Sequence, residues 1–278
     1  MRTLPPVCPA AALLAAALLA AACTTEDVEV PPTAEVDYTE QRQPCEDRSA
    51  LRNLYFGDLH AHSYNSWDAY GYDLMVTPEQ AYAFAKGGSV QLPPLDASGE
   101  GTRQVTLPRP LDFAAVTDHG EYLGESHVCR EKTNKASGYD SEECKRYRAR
   151  GESFVAGWGM KFIDPAGVKR DASICGADGA DCRRGAEKVW KEIQRAAERA
   201  YDRTKKCSFV SFVGYEYTAS PMVANQHRNI IFRNDVVPER PITYFETADF
   251  WQLLLRLREE CLHAQGGCDA MSIPHNMN

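Results

Sequence analysis

What this 278-residue chain lacks narrows its function first. No lysine or arginine block exceeds two residues, and the formal charge is −8, so no nucleic-acid partner is expected. The longest apolar run, Ala10 to Ala22, is too short for an ordinary membrane-spanning helix. The cysteines are spaced too widely for the short Cys-x-x-Cys knuckles of structural zinc sites. No internal repeat is evident, so a repeat architecture is not expected.

What remains is an ordinary globular composition. With 44% hydrophobic residues, the chain can build one large core or two small ones. Arg2 followed by alanine and leucine up to Cys23 fits a secretory signal over residues 1–22. Small residues precede Cys23, as at a bacterial lipoprotein cleavage site, although Ala20 stands where leucine is usual. The expectation is export to the periplasm or outer membrane. Cys23 would carry the lipid, residues 23–50 would form a polar tether, and the domain would occupy 51–278. Membrane contact would be through the lipid anchor alone.

Export changes how the cysteines are read. Beyond Cys8 and Cys23 eight remain, and an oxidising compartment favours pairing. Their spacing suggests Cys129 with Cys144, Cys175 with Cys182, and Cys261 with Cys268. Cys45 and Cys207 then pair by elimination.

Five short apolar runs read as buried strands: Leu54–Leu59, Phe113–Thr117, Phe209–Tyr215, Asn229–Phe232 and Met271–Pro274. Helical patterns lie between several of them. Thr77 is a predicted N-cap, with Pro78 in the first turn, Gln80 closing a capping box and Gly87 as the stop. Val189, Ile193, Ala197 and Ala200 share one face of a second helix, and Phe250, Leu253, Leu254 and Leu257 one face of a third. This order predicts an α/β fold with a mostly parallel sheet or barrel. Gly88–Arg109 and Cys129–Cys182 read as long loops shaping a rim.

Metal-ligand residue types fall at the ends of the predicted strands. His60 and His62 follow the first, Asp118 and His119 the second, Glu216 the third and His275 the last. In a parallel barrel those ends share one mouth. His227 begins its apolar run rather than ending it, so its place there is less secure. His127 and His263 lie outside the pattern. Taken singly, each residue has an ordinary explanation as a turn cap or ion-pair partner; taken together they point to a metal site.

The stretches "DLHAHS", "AVTDHGEY", "GYEYTASP…HRNIIF" and "IPHN" resemble the polymerase-and-histidinol-phosphatase (PHP) superfamily, and more narrowly its secreted branch DUF3604. The resemblance covers about residues 50 to 278. It implies a PHP-like distorted (β/α)₇ barrel, incomplete here with about five strands. It also implies two or three divalent ions of zinc, manganese or iron, and hydrolysis of a small-molecule ester, in most relatives a phosphoester. His60, His62 and Glu216 would bind one ion. Glu216 would bridge to another held by His227 and His275, and Asp68 with His119 would hold a third. Asp68 stands where many relatives have histidine. Asp58 and Asp118 would orient ligand imidazoles, and Arg228 would clamp a phosphate or sulfate oxygen, weighed against a surface ion pair. Tyr122 and Tyr217 would line the pocket or pack in the core. The chain stops before the late Asp-x-His motif of PHP enzymes, and the resemblance therefore implies a truncated piece, inactive and poorly folded as it stands. Two other readings are an amidohydrolase, which commonly bridges its metals with a modified lysine, and a non-catalytic binding lipoprotein. No lysine falls at any predicted strand end.

Overall fold

Seven strands and eight helices can be followed in a computed structural model, which describes residues 42–132, 137–164 and 168–275. The signal segment, Cys23 and the first part of the tether lie outside the described residues. The chain divides into two units. Of the first, Arg48–Asn53 is described, a turn in which the Ser49 carbonyl accepts the Arg52 N–H at 3.0 Å. The second, Asp37–Asp47 with Leu54–Asn278, holds the sheets and the site.

The strands are β1 (Gly57–Ala61), β2 (Ser89–Leu95), β3 (Gly101–Thr106), β4 (Phe113–Val116), β5 (Val210–Tyr217), β6 (Arg228–Phe232) and β7 (Ala270–Pro274). The helices are α1 (Trp67–Gly71), α2 (Pro78–Ala85), α3 (Leu123–Arg130), α4 (Glu142–Ala149), α5 (Glu152–Gly159), α6 (Ala172–Cys175), α7 (Ala180–Ala200) and α8 (Phe250–Leu257). The class is mixed α/β, as expected. α2 has the predicted start: Thr77 Oγ1 accepts the Gln80 N–H while Gln80 Oε1 accepts the Thr77 N–H.

The main sheet has the order β1-β4-β5-β6-β7. Pairing is parallel from β1 through β5, then antiparallel at β5/β6 and β6/β7. This corrects the expectation of a mostly parallel sheet. The stretch between Tyr217 and Arg228 is too short to carry a parallel crossover and its helix, so β6 must run back. The sheet is curled into a half-barrel. Laid flat, β1 and β6 would stand roughly 14 Å apart. Instead the Asn229 Nδ2 donates to the Leu59 carbonyl at 2.9 Å across the concave face.

Three further expectations need correcting. The first run is not a buried strand: β1 begins at Gly57, and Leu54 is 78% exposed. β1 and β7 are the two edges of the sheet and pack against one neighbour each, which is also why Met271 lies exposed. Gly88–Arg109 is not a loop but contains the antiparallel β2–β3 pair. The Cys129–Cys182 region is largely helical and carries α4, α5 and α6. In addition, Gln43 and Glu46, expected in the tether, are fastened within the second unit. The Gln43 and Glu46 N–H groups donate to the Arg203 and Lys205 carbonyls.

The core lies between the convex face of the sheet and α7, where Trp190 packs edge-on to Tyr215 and donates its Nε1–H to the Pro238 carbonyl. All four expected disulfides form: Cys45–Cys207, Cys129–Cys144, Cys175–Cys182 and Cys261–Cys268. Such bridges belong to an oxidising, extracellular-type environment. α3 crosses α7 at Gly124, where a Cβ would come within 1.9 Å of the Cys182 carbonyl oxygen. Gly124→Ala is therefore expected to destabilise the protein by about 1–3 kcal/mol through overpacking. Thermal denaturation should register a drop of several degrees; an unchanged midpoint would contradict this close approach.

Candidate metal centre

The reversal of β6 settles where His227 stands. Because β6 runs against β5, the residue before it sits at the end of the sheet that β1, β4, β5 and β7 reach with their C-termini. His227 and His275 flank β6 and β7 there, and the His275 N–H donates to the His227 carbonyl at 3.3 Å. β1 alternates, so His60 and His62 turn to one side, with ring centroids 5.1 Å apart. The pairing continues past the end of β4 through a bridge between His119 and Glu216 of β5.

Glu216 is the centre of the arrangement and is 1% exposed. Its Oε2 lies 3.2 Å from His60 Nε2 and 3.0 Å from His62 Nε2. Its Oε1 lies 2.7 Å from His227 Nδ1, 3.2 Å from His275 Nε2 and 3.4 Å from His119 Nδ1. Asp68, at the start of α1, adds a second carboxylate, 3.4 Å from both His62 Nδ1 and His119 Nε2. Two sets of donor atoms lie within 4.8 Å of one another: His60, Glu216 and His275, and His62, His119 and Glu216. The His60 Nε2, His62 Nε2 and Glu216 Oε2 atoms, grouped on one ion by the resemblance, also lie within 3.2 Å of one another.

The donor set fits a cation. His62 Nε2 and His60 Nε2 face each other at 3.2 Å while both point at the same carboxylate oxygen. Glu216 Oε1 and His275 Nε2 are buried without a well-formed hydrogen bond. Lone pairs converge where a positive charge belongs. Protonation energetics agree. Burial opposes charge on His62, but hydrogen bonds and the charges of Asp68 and Glu216 outweigh it and push its pKa up to about 10. Burial would raise Glu216, yet the charge of His119 and the close-set nitrogens of His227, His275 and His60 hold it far below the carboxylate range. Asp68 is lowered likewise against its burial by His119 and His62. A third group, Glu125 with Cys175 and Cys182, is no such site, because both sulfurs are in a disulfide.

The other predicted residues are placed differently. The Asp118 carboxylate accepts the Ser63 N–H and, at 2.7 Å, its hydroxyl, so it fixes the chain after His62 rather than an imidazole. The Asp58 carboxylate accepts the His60 N–H at 2.8 Å. Arg228 is opposite Tyr217 in the β5/β6 register, one residue out of phase with Glu216 and Asn229. Its guanidinium therefore points to the convex face, where it covers the Phe250 ring at 4.6 Å and donates to Ser272 Oγ. The expected anion clamp is not in the centre. Tyr122 and Tyr217 are buried and belong to the core.

Several residues near the centre carry no signal in the sequence. Ser66 Oγ donates to Asp68 Oδ1 at 2.7 Å, lies 3.0 Å from His62 Nδ1 and accepts the His119 N–H. The Thr218 hydroxyl meets His119 Nδ1. Glu121 is fully buried, and burial pushes its pKa up to about 8.

Matched against family models, residues 49–278 fit the one described as "Protein of unknown function (DUF3604)". The chain belongs to the DUF3604 family. No curated protein matches this DUF3604 chain, and no solved structure does.

The pH response of this DUF3604 protein, stripped of divalent ions, follows from these groups. His62 normally titrates at 6.5 and here near 10, so its contribution to stability is whole below pH 6.5 and is lost between 6.5 and 10. Glu216 and Asp68, ordinarily at 4.5 and 3.8, contribute fully above those values and less as pH falls below them. Chelator-treated protein should therefore melt at its highest temperature between about pH 4.5 and 6.5. Its midpoint should decline toward pH 10. A midpoint that climbs through that upper range would contradict the assignment.

Proposed function

We propose that this chain is a PHP-like, metal-dependent hydrolase that acts on a small-molecule ester, most simply a phosphoester. The convergence of five imidazoles on the buried Glu216 carries the reading. The residues that would hold ions are His60, His62, His227 and His275 around Glu216, with Asp68 and His119 beside them. The nitrogen and oxygen donors suit zinc, manganese or iron. Divalent ions held there would lower the pKa of a water and neutralise charge building on the ester oxygens.

The chain's own groups divide the remaining work. Glu216 is too enclosed to meet a substrate, so it serves as the central donor and not as nucleophile or base. His60 and Asp68, with side chains 42% and 30% exposed, mark the side open to an ester. The amidohydrolase reading asks for a modified lysine between the ions, and the donors gathered here include a glutamate, Glu216, and no lysine. Export with a lipid at Cys23 is part of the proposal, and the four disulfides support the compartment.

Elemental analysis of protein purified without chelator should find divalent metal in stoichiometric amount. Nitrophenyl phosphate or sulfate should turn over, and chelator should abolish the turnover. Glu216→Gln should lose metal and activity by more than the roughly 10–100-fold typical of outer-sphere changes. Turnover indifferent to chelator, or protein that carries no metal, would remove the reading.

A further inference from the structure

Glu121 has no part in the centre as described, yet its surroundings are unusual for a carboxylate. It is 0% exposed. Among the described residues no arginine, lysine or histidine forms an ion pair with it. An uncompensated buried carboxylate is costly, and this one is held by two main-chain donors. Oε2 accepts the Thr218 N–H at 3.0 Å, and Oε1 accepts the Tyr244 N–H at 2.7 Å.

The reason lies in how the β4/β5 pairing ends. Beyond β4 the parallel ladder continues through the Glu216 N–H to the Asp118 carbonyl at 2.9 Å and the Gly120 N–H to the Glu216 carbonyl at 2.7 Å. The period of a parallel ladder assigns the next rung to the Thr218 N–H and the Gly120 carbonyl. Tyr122 turns left-handed, at φ 65°, into α3, and the chain leaves β5 at this point. The Glu121 carboxylate supplies the missing acceptor. Thr218 is thereby fixed, and its hydroxyl meets His119 Nδ1. With Nδ1 engaged, His119 presents Nε2 toward Asp68 Oδ2 at 3.4 Å. An imidazole held at one nitrogen has its other nitrogen aimed and its tautomer selected.

We propose that Glu121 is a positioning residue for the Asp68–His119 side of the centre, acting through Thr218. The same carboxylate ties that side to the loop at Tyr244, which Tyr215 also holds through the Ile242 N–H and carbonyl. This rests on the metal-centre reading above.

The test compares Glu121→Gln and Thr218→Val, with Asp68→Asn as reference. Glutamine keeps the shape of Glu121, but its NH₂ faces one of the two N–H donors, so one hydrogen bond is lost. Thr218→Val removes only the hydroxyl that meets His119. Mn²⁺ is titrated calorimetrically into chelator-stripped protein, and melting is followed with and without saturating Mn²⁺. Glu121→Gln should weaken one class of Mn²⁺ site by about 10–100-fold, and Thr218→Val should weaken the same class. Both should shrink the gain in melting temperature that Mn²⁺ gives. Adding Glu121→Gln to Asp68→Asn should weaken Mn²⁺ no further.

An unchanged Mn²⁺ isotherm for Glu121→Gln, with equal loss of melting temperature in both conditions, would overturn the proposal and leave the metal-centre reading standing. If Glu121→Gln does not fold, an unchanged isotherm for Thr218→Val overturns it. Parent protein that binds no Mn²⁺ would overturn the metal-centre reading, and this inference with it.

Discussion

Keeping Glu216 ionised at 1% exposure is the constraint around which the rest is arranged. A lone carboxylate in such surroundings would be protonated or would cost several kcal/mol. Neutral imidazoles cannot discharge it; they can only direct lone pairs or protons at the same point. Five of them do so, from β1 and the residue after it, from the segment after β4, and from one end of the β6–β7 pair. The site is therefore built for added positive charge, whether protons, as the raised His62 indicates, or metal ions that displace them. The antiparallel course of β6 is part of the same solution. A parallel β6 would carry His227 to the opposite end of the sheet and leave the carboxylate with one imidazole fewer.

Much of this was legible in the residues. The His60/His62 alternation, the Thr77 capping box and the cysteine spacings are local patterns, and local geometry follows from them. What could not be read depends on direction and on the third dimension. The placement of Arg228 required knowing the β5/β6 register, which sends it and Glu216 to opposite faces. In "SVQLPPL" two prolines mask the alternation of β2, so its pairing with β3 looked like a loop. Leu54–Phe56 look like core in a linear reading, yet they precede an edge strand. Ser66, Thr218 and Glu121 are ordinary polar residues until the fold sets them beside imidazoles or the groups that hold them.

The cysteine-rich region gives the centre one of its walls. Trp67 lies 5.8 Å from the His119 ring and packs against Tyr122, Phe154 and Phe162. Those aromatic rings come from α1, from the turn into α3 and from the helical insertion. Cys129–Cys144 fastens α3 to α4, and Cys175–Cys182 fastens α6 to α7. A segment of such short helices would be marginal alone. Bridged twice, it becomes a fixed surface against which Asp68 and His119 are held. Oxidising conditions therefore bear on the geometry of the centre as well as on overall stability.

Charge gives the last step. The chain carries −8 overall, but without ions the Glu216 and Asp68 carboxylates face His62 and His119, whose pKa values both lie above the ordinary imidazole value, so protons offset the two negative charges. Divalent cations compete with those protons for the same lone pairs. Once ions are bound, their charge dominates locally and sets the sign that an approaching anion meets. Of seven histidines in the chain, five stand at this one point, which concentrates ion-holding capacity there. Under the proposed function, ion binding must precede ester binding, because the ion-free centre offers a phosphate or sulfate ester little net positive charge.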